Sequence, residues 1–285
     1  PYTVLKFLNI KCNLTGLLFV AAMLFAAQLR AAADAPVKTG QHDKSIYSTN
    51  AVLSALMTDV VFWVNFDKSA EPVMGKPNDD PEQTVKKEYG DAPGLVGKAF
   101  LNQEGNFCRY PAAGNLDFSK PGGLSFWVSP VDWAWGDEQP LNNFFMTPWR
   151  AKGGYLGIER QGWQKKEGAP KQLDTVLFYI EGFPDINKPG IQTIGLANAP
   201  QEEWANGRWH FFVFNWKGSL LEVSMDGAPF RSLDIGHALA SDAVDEFRVG
   251  INVEPTLVDE FMIYRRPLKE EEVSGVFKAL IVAPK

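Results

Sequence analysis

Two antiparallel β-sheets packed face to face, with a short helix after the last strand, form the fold that this 285-residue chain predicts. Three observations lead there. The run WHFFVFNWKGSLLEVSMDG, from Trp209 to Gly227, reads as two strands joined by a tight turn. The run VDEFMIYRRPLKEEEV, from Val258 to Val273, reads as a strand that leaves its sheet and opens an acidic helix. Between residues 59 and 251, short apolar runs recur at irregular spacing with turn residues between them, which suits an all-β sandwich and not a repeat array.

The chain opens with Lys6 and Lys11 ahead of an apolar stretch, Leu14 to Leu29, and the small residues AAADA at 31–35. That is the order of a secretory signal peptide, and residues 1–35 are assigned to one. Cleavage after Ala33 satisfies the small-x-small rule, so the mature chain is expected to begin between Ala32 and Pro36. The apolar stretch is short of the roughly 20 residues a membrane span needs, so contact with a membrane is expected only if the leader stays uncleaved. Cys12 precedes this stretch, which argues against a lipid-anchored cysteine. Residues 36–58 read as a polar linker with room for a short helix at Ala51–Met57, and residues 59–285 as the sandwich domain.

The first strand is expected in VVFWVNFD, where Val61, Trp63 and Asn65 alternate with Phe62, Val64 and Phe66. A Pro-, Asp- and Glu-rich connection, Lys68 to Pro93, leads to GLVGKAFL at 94–101 and FCRYP at 107–111. In GGLSFWVSP, Leu124, Phe126 and Val128 alternate with Ser125, Trp127 and Ser129. Further strands are expected in NNFFMTPW (142–149), GYLGIER (154–160), TVLFYIEG (175–182) and EFRVGI (246–251). In WHFFVFNW, Trp209, Phe211 and Val213 project to one side and Phe212, Phe214 and Trp216 to the other. Both sides are apolar, so this strand should be covered on both faces, in the middle of a sheet. Lys217-Gly218-Ser219 supplies the turn, after which Leu221, Val223 and Met225 share one face opposite Glu222 and Ser224 in a half-solvated strand closed by Asp226-Gly227.

Composition narrows the function. The chain is 13% aromatic and 22% charged with a net charge of -6, and it has no basic stripe, so a nucleic-acid partner is excluded. Its densest basic spot is Arg265-Arg266. After removal of the leader Cys108 stands alone, so no internal disulfide is expected and Cys108 reads as a small buried hydrophobe.

The two C-terminal runs resemble the laminin G-like (concanavalin A-like) jelly-roll family. There a Trp-His strand leads through a turn glycine to a strand ending in Asp-Gly, and a later strand reads (Ile/Val)-Asp-(Asp/Glu), then Ile-Tyr-x-Arg-x-Leu, then a Glu-containing helix. GLVGKAFL and GGLSFWVSP match the same family. The resemblance implies a two-sheet antiparallel jelly roll and, in many members, one structural Ca²⁺ ion held by the opening loop and the Asp of the final strand. Carried onto this sequence, its ligands are Asp259 with the neighbouring Glu260, and Asp67. Oxygen ligands of this kind suit a hard cation. The alternative is that Asp259 and Glu260 accept hydrogen bonds from backbone or from Arg265 at a strand end. The loop after Asp67 departs from the family in lacking an Asp-x-Ser-Gly-x-Gly pattern.

No catalytic constellation emerges. Glucanases of this architecture carry a Glu-x-Asp-x-x-Glu strand, because nucleophile and acid must project from one face about 5 Å apart; this chain has none. Its acidic clusters, Asp242-Ala-Val-Asp245-Glu246 and Asp259-Glu260, lack that spacing. His42 lies in the linker, His237 in a turn-like stretch and His210 on an aromatic strand face, where packing is the expected role. Nucleophile-elbow, zinc-spacing and phosphate-loop motifs are absent from the sequence. Five tryptophans beside polar or turn residues, Trp133, Trp135, Trp149, Trp163 and Trp204, are candidates for stacking on sugar rings, although a large sandwich also uses Trp to plug its open ends. Trp133, Trp135 and Trp163 are taken as the glycan-binding set. The sequence thus predicts a secreted, non-catalytic domain that binds carbohydrate or mediates adhesion. The alternatives are a structural or protein-interaction domain of a cell envelope, and a glycoside hydrolase or lyase with an unrecognised site.

Overall fold

Strands that alternate apolar and polar side chains give a sheet one face to bury, whereas strands apolar on both sides need two layers of cover. This chain contains both kinds. The computed structural model describes residues 45–86, 89–103, 105–131, 142–148, 155–161, 175–180, 192–197, 204, 206–239, 244–251 and 254–281. Its strands are β1 (Val60–Val64), β2 (Asp91–Pro93), β3 (Lys98–Asn102), β4 (Cys108–Pro111), β5 (Gly122–Pro130), β6 (Asn142–Pro148), β7 (Tyr155–Gln161), β8 (Thr175–Ile180), β9 (Gln192–Ala197), β10 (His210–Lys217), β11 (Leu220–Met225), β12 (Arg231–Asp234), β13 (Glu246–Ile251) and β14 (Thr256–Tyr264). The helices are α1 (Ile46–Thr49), α2 (Ala51–Met57) and α3 (Glu270–Ile281).

Two antiparallel sheets form the sandwich. The eight-stranded sheet runs β12-β11-β10-β5-β14-β3-β2, with β1 also on β14, and the six-stranded sheet runs β4-β13-β6-β7-β8-β9. β10 and β5 lie side by side in the middle of the larger sheet, and every residue of β5 is buried. As the alternation predicts, Phe212, Phe214 and Trp216 enter the core between the sheets. Trp209, Phe211 and Val213 enter a second core on the other face of the eight-stranded sheet. Tyr47, Leu53 and Leu56 of α1 and α2 and Val273, Val276 and Leu280 of α3 cover that second core.

Local chemistry sets the helix ends. Asn50 Oδ1 accepts from the Val52 and Leu53 amides at 3.0 and 3.2 Å, the N-cap of α2. Glu270, Glu271 and Glu272 fill the first turn of α3, where negative charge opposes the helix dipole. Of the paired arginines, Arg266 does the stitching: Nε donates to Asp59 Oδ2 at 2.8 Å and the other guanidinium nitrogens to both oxygens of Glu272 at 2.8 and 2.7 Å. That contact holds the Glu272 carboxyl below its ordinary pKa.

Three short edge or linking strands depart from the sequence reading. β2 falls inside the expected connection, and β9 and β12 lie where no strand was expected. They carry few apolar residues because they form edges: along β12 only Leu233 is half-buried, and in β9 Ile194 and Leu196 turn inward while Thr193 and Gly195 are exposed. β11 also differs. Ser224, expected in solvent, is buried and donates to the Ala228 carbonyl at 2.6 Å. Cys108 is fully buried in the core, and burial pushes its thiol pKa up.

Candidate functional site

The six-stranded sheet turns its second face away from the core between the sheets, and alternation decides what stands there. Tyr110, Phe247, Phe145, Leu156, Ile158, Phe178 and Ile194 point into the core. Their neighbours point away, and the register aligns Arg109, Arg248, Met146, Gly157, Tyr179 and Thr193 in one row across all six strands. Five strand spacings of about 4.8 Å make this row about 24 Å long.

β7 supplies the most distinctive part of that row. Tyr155, Gly157 and Glu159 share its outer face, and the Tyr155 hydroxyl donates to Glu159 Oε2 at 2.6 Å. The Tyr155 ring therefore lies lengthwise along its own strand, over Gly157. A Cβ at Gly157 would stand 3.4 Å from that ring and 2.7 Å from the Phe145 carbonyl, so only glycine leaves this space. Across the pair, Tyr179 of β8 stacks on Tyr155 with ring centroids 4.9 Å apart. Glu159 is fully buried, Tyr179 nearly so, and Tyr155 is half-buried.

At the β4 end of the row the face is charged. Arg248 Nε donates to Glu246 Oε1 at 2.6 Å, and an Arg109 nitrogen donates to Gln83 Oε1 at 3.0 Å. The Arg248 guanidinium and the Lys86 ammonium lie 5.0 and 5.1 Å from the Phe107 ring centroid, within cation–π range. A flat ring held at one end by a carboxylate, with fixed donors and acceptors further along, is the equipment that binds a ligand having apolar CH faces and many hydroxyls. The sequence reading missed Tyr155, Glu159, Tyr179 and Arg248. The signal available was GYLGIER itself, whose i, i+2, i+4 alternation puts Tyr155, Gly157 and Glu159 on one face.

The carboxylates expected to hold Ca²⁺ do different work. Asp259 is fully buried, and its Oδ2 accepts from the Leu95 and Val96 amides at 2.8 and 3.0 Å. Asp67 Oδ1 accepts from the Lys98 amide at 2.9 Å, and its Oδ2 from Asn65 Nδ2 at 2.9 Å. The two acids pin one turn, Gly94–Lys98, closed by Gly94 N on the Gly97 carbonyl at 3.1 Å. Both glycines of GLVGK are explained by this: a Cβ at Gly94 would sit 2.6 Å from Asp259 Oδ2, and one at Gly97, whose φ is +65°, 1.9 Å from Asp67 Oδ1.

Glu260 belongs to a bulge. The register of β14 against β5 shifts between Asp259 and Met262, and Glu260 takes a φ of 51°. There Oε2 accepts from Trp63 Nε1 at 2.6 Å. Burial and then the charge of Glu260 raise the Asp259 pKa, against the Val96, Leu95 and Glu260 amides that lower it. Among the described residues no three His, Cys, Asp or Glu side chains gather closely enough to hold a metal ion. Asp259 Oδ1 accepts no hydrogen bond, but one oxygen is far from the six to eight that Ca²⁺ takes. Asp259, Glu260 and Asp67 therefore form no such cluster.

Trp133, Trp135, Trp149 and Trp163 lie outside the described residues. Trp204 is described and is fully buried, its ring 3.9 Å from His210 and 5.8 Å from Phe144, stacked on both. His210 is fully buried too, with Nδ1 at 2.8 Å from Asp226 Oδ2, while Asp226 Oδ1 accepts from the Phe211 amide at 2.8 Å. A sealed imidazole meets no substrate, so this His–Asp pair ties β10 to the end of β11 and is not a catalytic dyad.

Structural comparison places the fold in known company. Domain 4 of AbnA, a GH43 extracellular arabinanase from Geobacillus stearothermophilus, solved in complex with arabinotriose, matches at a TM-score of 0.50 and 16% identity over 76% of this chain and 97% of that one. A structure of botulinum neurotoxin type C, whose cell entry depends on two ganglioside molecules, matches at 0.57 and 11% over 80% of this chain and 53% of that one. The binding domain of Paraclostridial Mosquitocidal Protein 1 matches at 0.53 and 13% over 79% and 53%. This chain thus spans about half the length of those two toxin structures. At such identities the likeness shows the β-sandwich fold. No protein-family model matches the chain, and no curated protein matches it. No helix among the described residues is long and apolar enough to cross a membrane.

Proposed function

We propose that this chain is an exported, non-catalytic glycan-binding domain of the laminin G-like kind, whose ligand lies along the outer face of the six-stranded sheet. One observation carries the reading: the Tyr155 ring is laid along β7 over Gly157, tethered to Glu159 and stacked on Tyr179. A ring so fixed loses little freedom when a pyranose or furanose settles on it. Neighbours of the same fold that are described with arabinotriose or gangliosides support the ligand class. Export through residues 1–35 is consistent with a ligand met outside the cell, and Trp133, Trp135 and Trp163 are further candidates for stacking on the glycan.

Electrophoresis through gels cast with arabinan, xylan, β-glucan or galactan tests it. The wild type is expected to be retarded by at least one polysaccharide, and Tyr155→Ala and Tyr179→Ala to lose the retardation while keeping the far-UV spectrum. Free migration of the wild type in every gel, or full retardation of both variants, refutes the site.

A further inference from the structure

We propose a second saccharide site, a cleft of about 460 Å³ at the end of the sandwich where β5 begins and β10 and β14 finish. It rests on the preceding reading for the ligand class alone; none of the outer-face row lines it. Its volume falls in the range of small-molecule sites, roughly 300–1,000 Å³.

The walls are built in advance. Trp216 Nε1 donates to the carbonyls of Asp117 and Lys120 at 3.2 and 2.7 Å, fixing the loop ahead of β5. Gly122 lets that indole lie against the strand, since a Cβ there would sit 2.3 Å from the ring. On the other side Asn115 accepts from the Lys76 amide at 2.7 Å and donates to the Lys76 and Pro111 carbonyls at 2.8 and 2.9 Å. Val61, Ala113 and Pro121 give the cleft apolar surface, and Asp117, Lys120 and Arg265 supply its charged groups.

Those charges select the ligand. Asp117 Oδ2 and Lys120 Nζ stand 3.1 Å apart, an acceptor beside a donor. Asp117 Oδ1 is already taken by the Ser119 amide and hydroxyl at 3.0 and 2.6 Å, so a ligand hydroxyl would meet Oδ2 together with its Lys120 partner. Arg265 lies 3.9 Å from Asp59, whose second oxygen binds Arg266, itself matched by Glu272. Each cation thus has an acid beside it, and an anion would gain little by entering. A neutral sugar fits instead. Adjacent ring hydroxyls, each both donor and acceptor, match the Asp117–Lys120 pair, and the CH face covers Val61 and Pro121.

The indole N–H resonance of Trp216, assigned by its absence in Trp216→Phe, reports on the site. Methyl glycosides of glucose, galactose and mannose, L-arabinose and sodium glucuronate are titrated into ¹⁵N-labelled protein. At least one neutral sugar is expected to move the Trp216 resonance saturably. Ala113→Trp, at an exposed cleft position, should weaken that binding at least tenfold, about 1.4 kcal/mol. Movement by glucuronate alone, no movement by any sugar, or equal affinity in Ala113→Trp overturns the proposal. Polysaccharide retardation lost in Tyr179→Ala belongs to the outer face, so either site can fail without the other.

Discussion

Replacing Trp204 by Ala separates the two uses a sandwich makes of tryptophan. Trp204 reads in sequence like the other loop tryptophans, yet its ring is fully buried between Phe144 and His210, with Phe212 at 6.3 Å. Truncating a buried Trp costs about 3–5 kcal/mol in lost transfer energy and residual cavity. The rigid neighbours make collapse of the cavity difficult, because Phe144 and Phe212 also stack on each other at 5.6 Å and His210 is held by Asp226. The upper part of that interval is therefore expected. At about 2–4 °C per kcal/mol for a domain of this size, an upper-part cost of about 4–5 kcal/mol should lower the melting temperature by roughly 8–20 °C. Differential scanning calorimetry reads this directly, and urea unfolding should show a lower midpoint with an unchanged slope. Trp204→Phe, which keeps an aromatic plane on His210, should recover a large part of the loss. A fall below about 3 °C in Trp204→Ala would mean that the ring is not a plug, and the account of this end of the sandwich would fail.

Four further outcomes follow from the same structure. The raised Asp259 pKa means the fold favours the protonated acid, so this group's stabilisation is full below about pH 3.9, the ordinary Asp value, and is lost as pH climbs to the folded-state value; wild type minus Asp259→Asn, compared by urea unfolding from pH 4 upward, should slope downward, and a flat difference removes the argument. Melts in Ca²⁺ and in chelator should superimpose, because Asp67, Asp259 and Glu260 are engaged by N–H donors; a rise of several degrees with Ca²⁺ would restore them as ligands. Native Cys108 should not react with a thiol reagent until the protein unfolds, since burial holds the thiol protonated; rapid native labelling would contradict that. Trp133→Ala with Trp135→Ala should weaken polysaccharide retardation and leave the melting temperature nearly unchanged, whereas a fall like that of Trp204→Ala would make them plugs.

Much of the fold was legible because burial on two faces leaves a strong mark. WHFFVFNW could satisfy six bulky apolar side chains only with cover on both sides, and the two cores divide them accordingly. The turn at Lys217-Gly218-Ser219 was equally plain, Gly218 taking a φ of 63°. β12 was not, because an edge strand of Arg, Ser, Leu and Asp has little to bury. Its place is set by pairing with β11 and by Arg231 donating to the Gly195 carbonyl across to β9.

The site was less legible than the fold, for two physical reasons. Tyr155 and Tyr179 meet only because β7 and β8 pair in a register that sets Gly157 opposite Tyr179, and no local pattern fixes a register across residues 162–174. The acids are placed in a way their order in sequence does not show. Strict alternation sends consecutive residues to opposite faces, both of them covered along β14, and with the bulge at Glu260 interrupting the register Asp259 and Glu260 are both buried. An acidic pair that looks like a cation site in one dimension is thereby divided between two structural tasks, Asp259 holding the Gly94–Lys98 turn and Glu260 holding the Trp63 indole. A positive φ at a non-glycine residue, about 1–3 kcal/mol of strain, persists only where surrounding contacts over-determine it. At Glu260 the indole hydrogen bond and the strands on either side of β14 supply those contacts, so Glu260→Gln should keep the bulge, whereas Glu260→Gly should relieve the backbone strain but leave the Trp63 N–H without its acceptor.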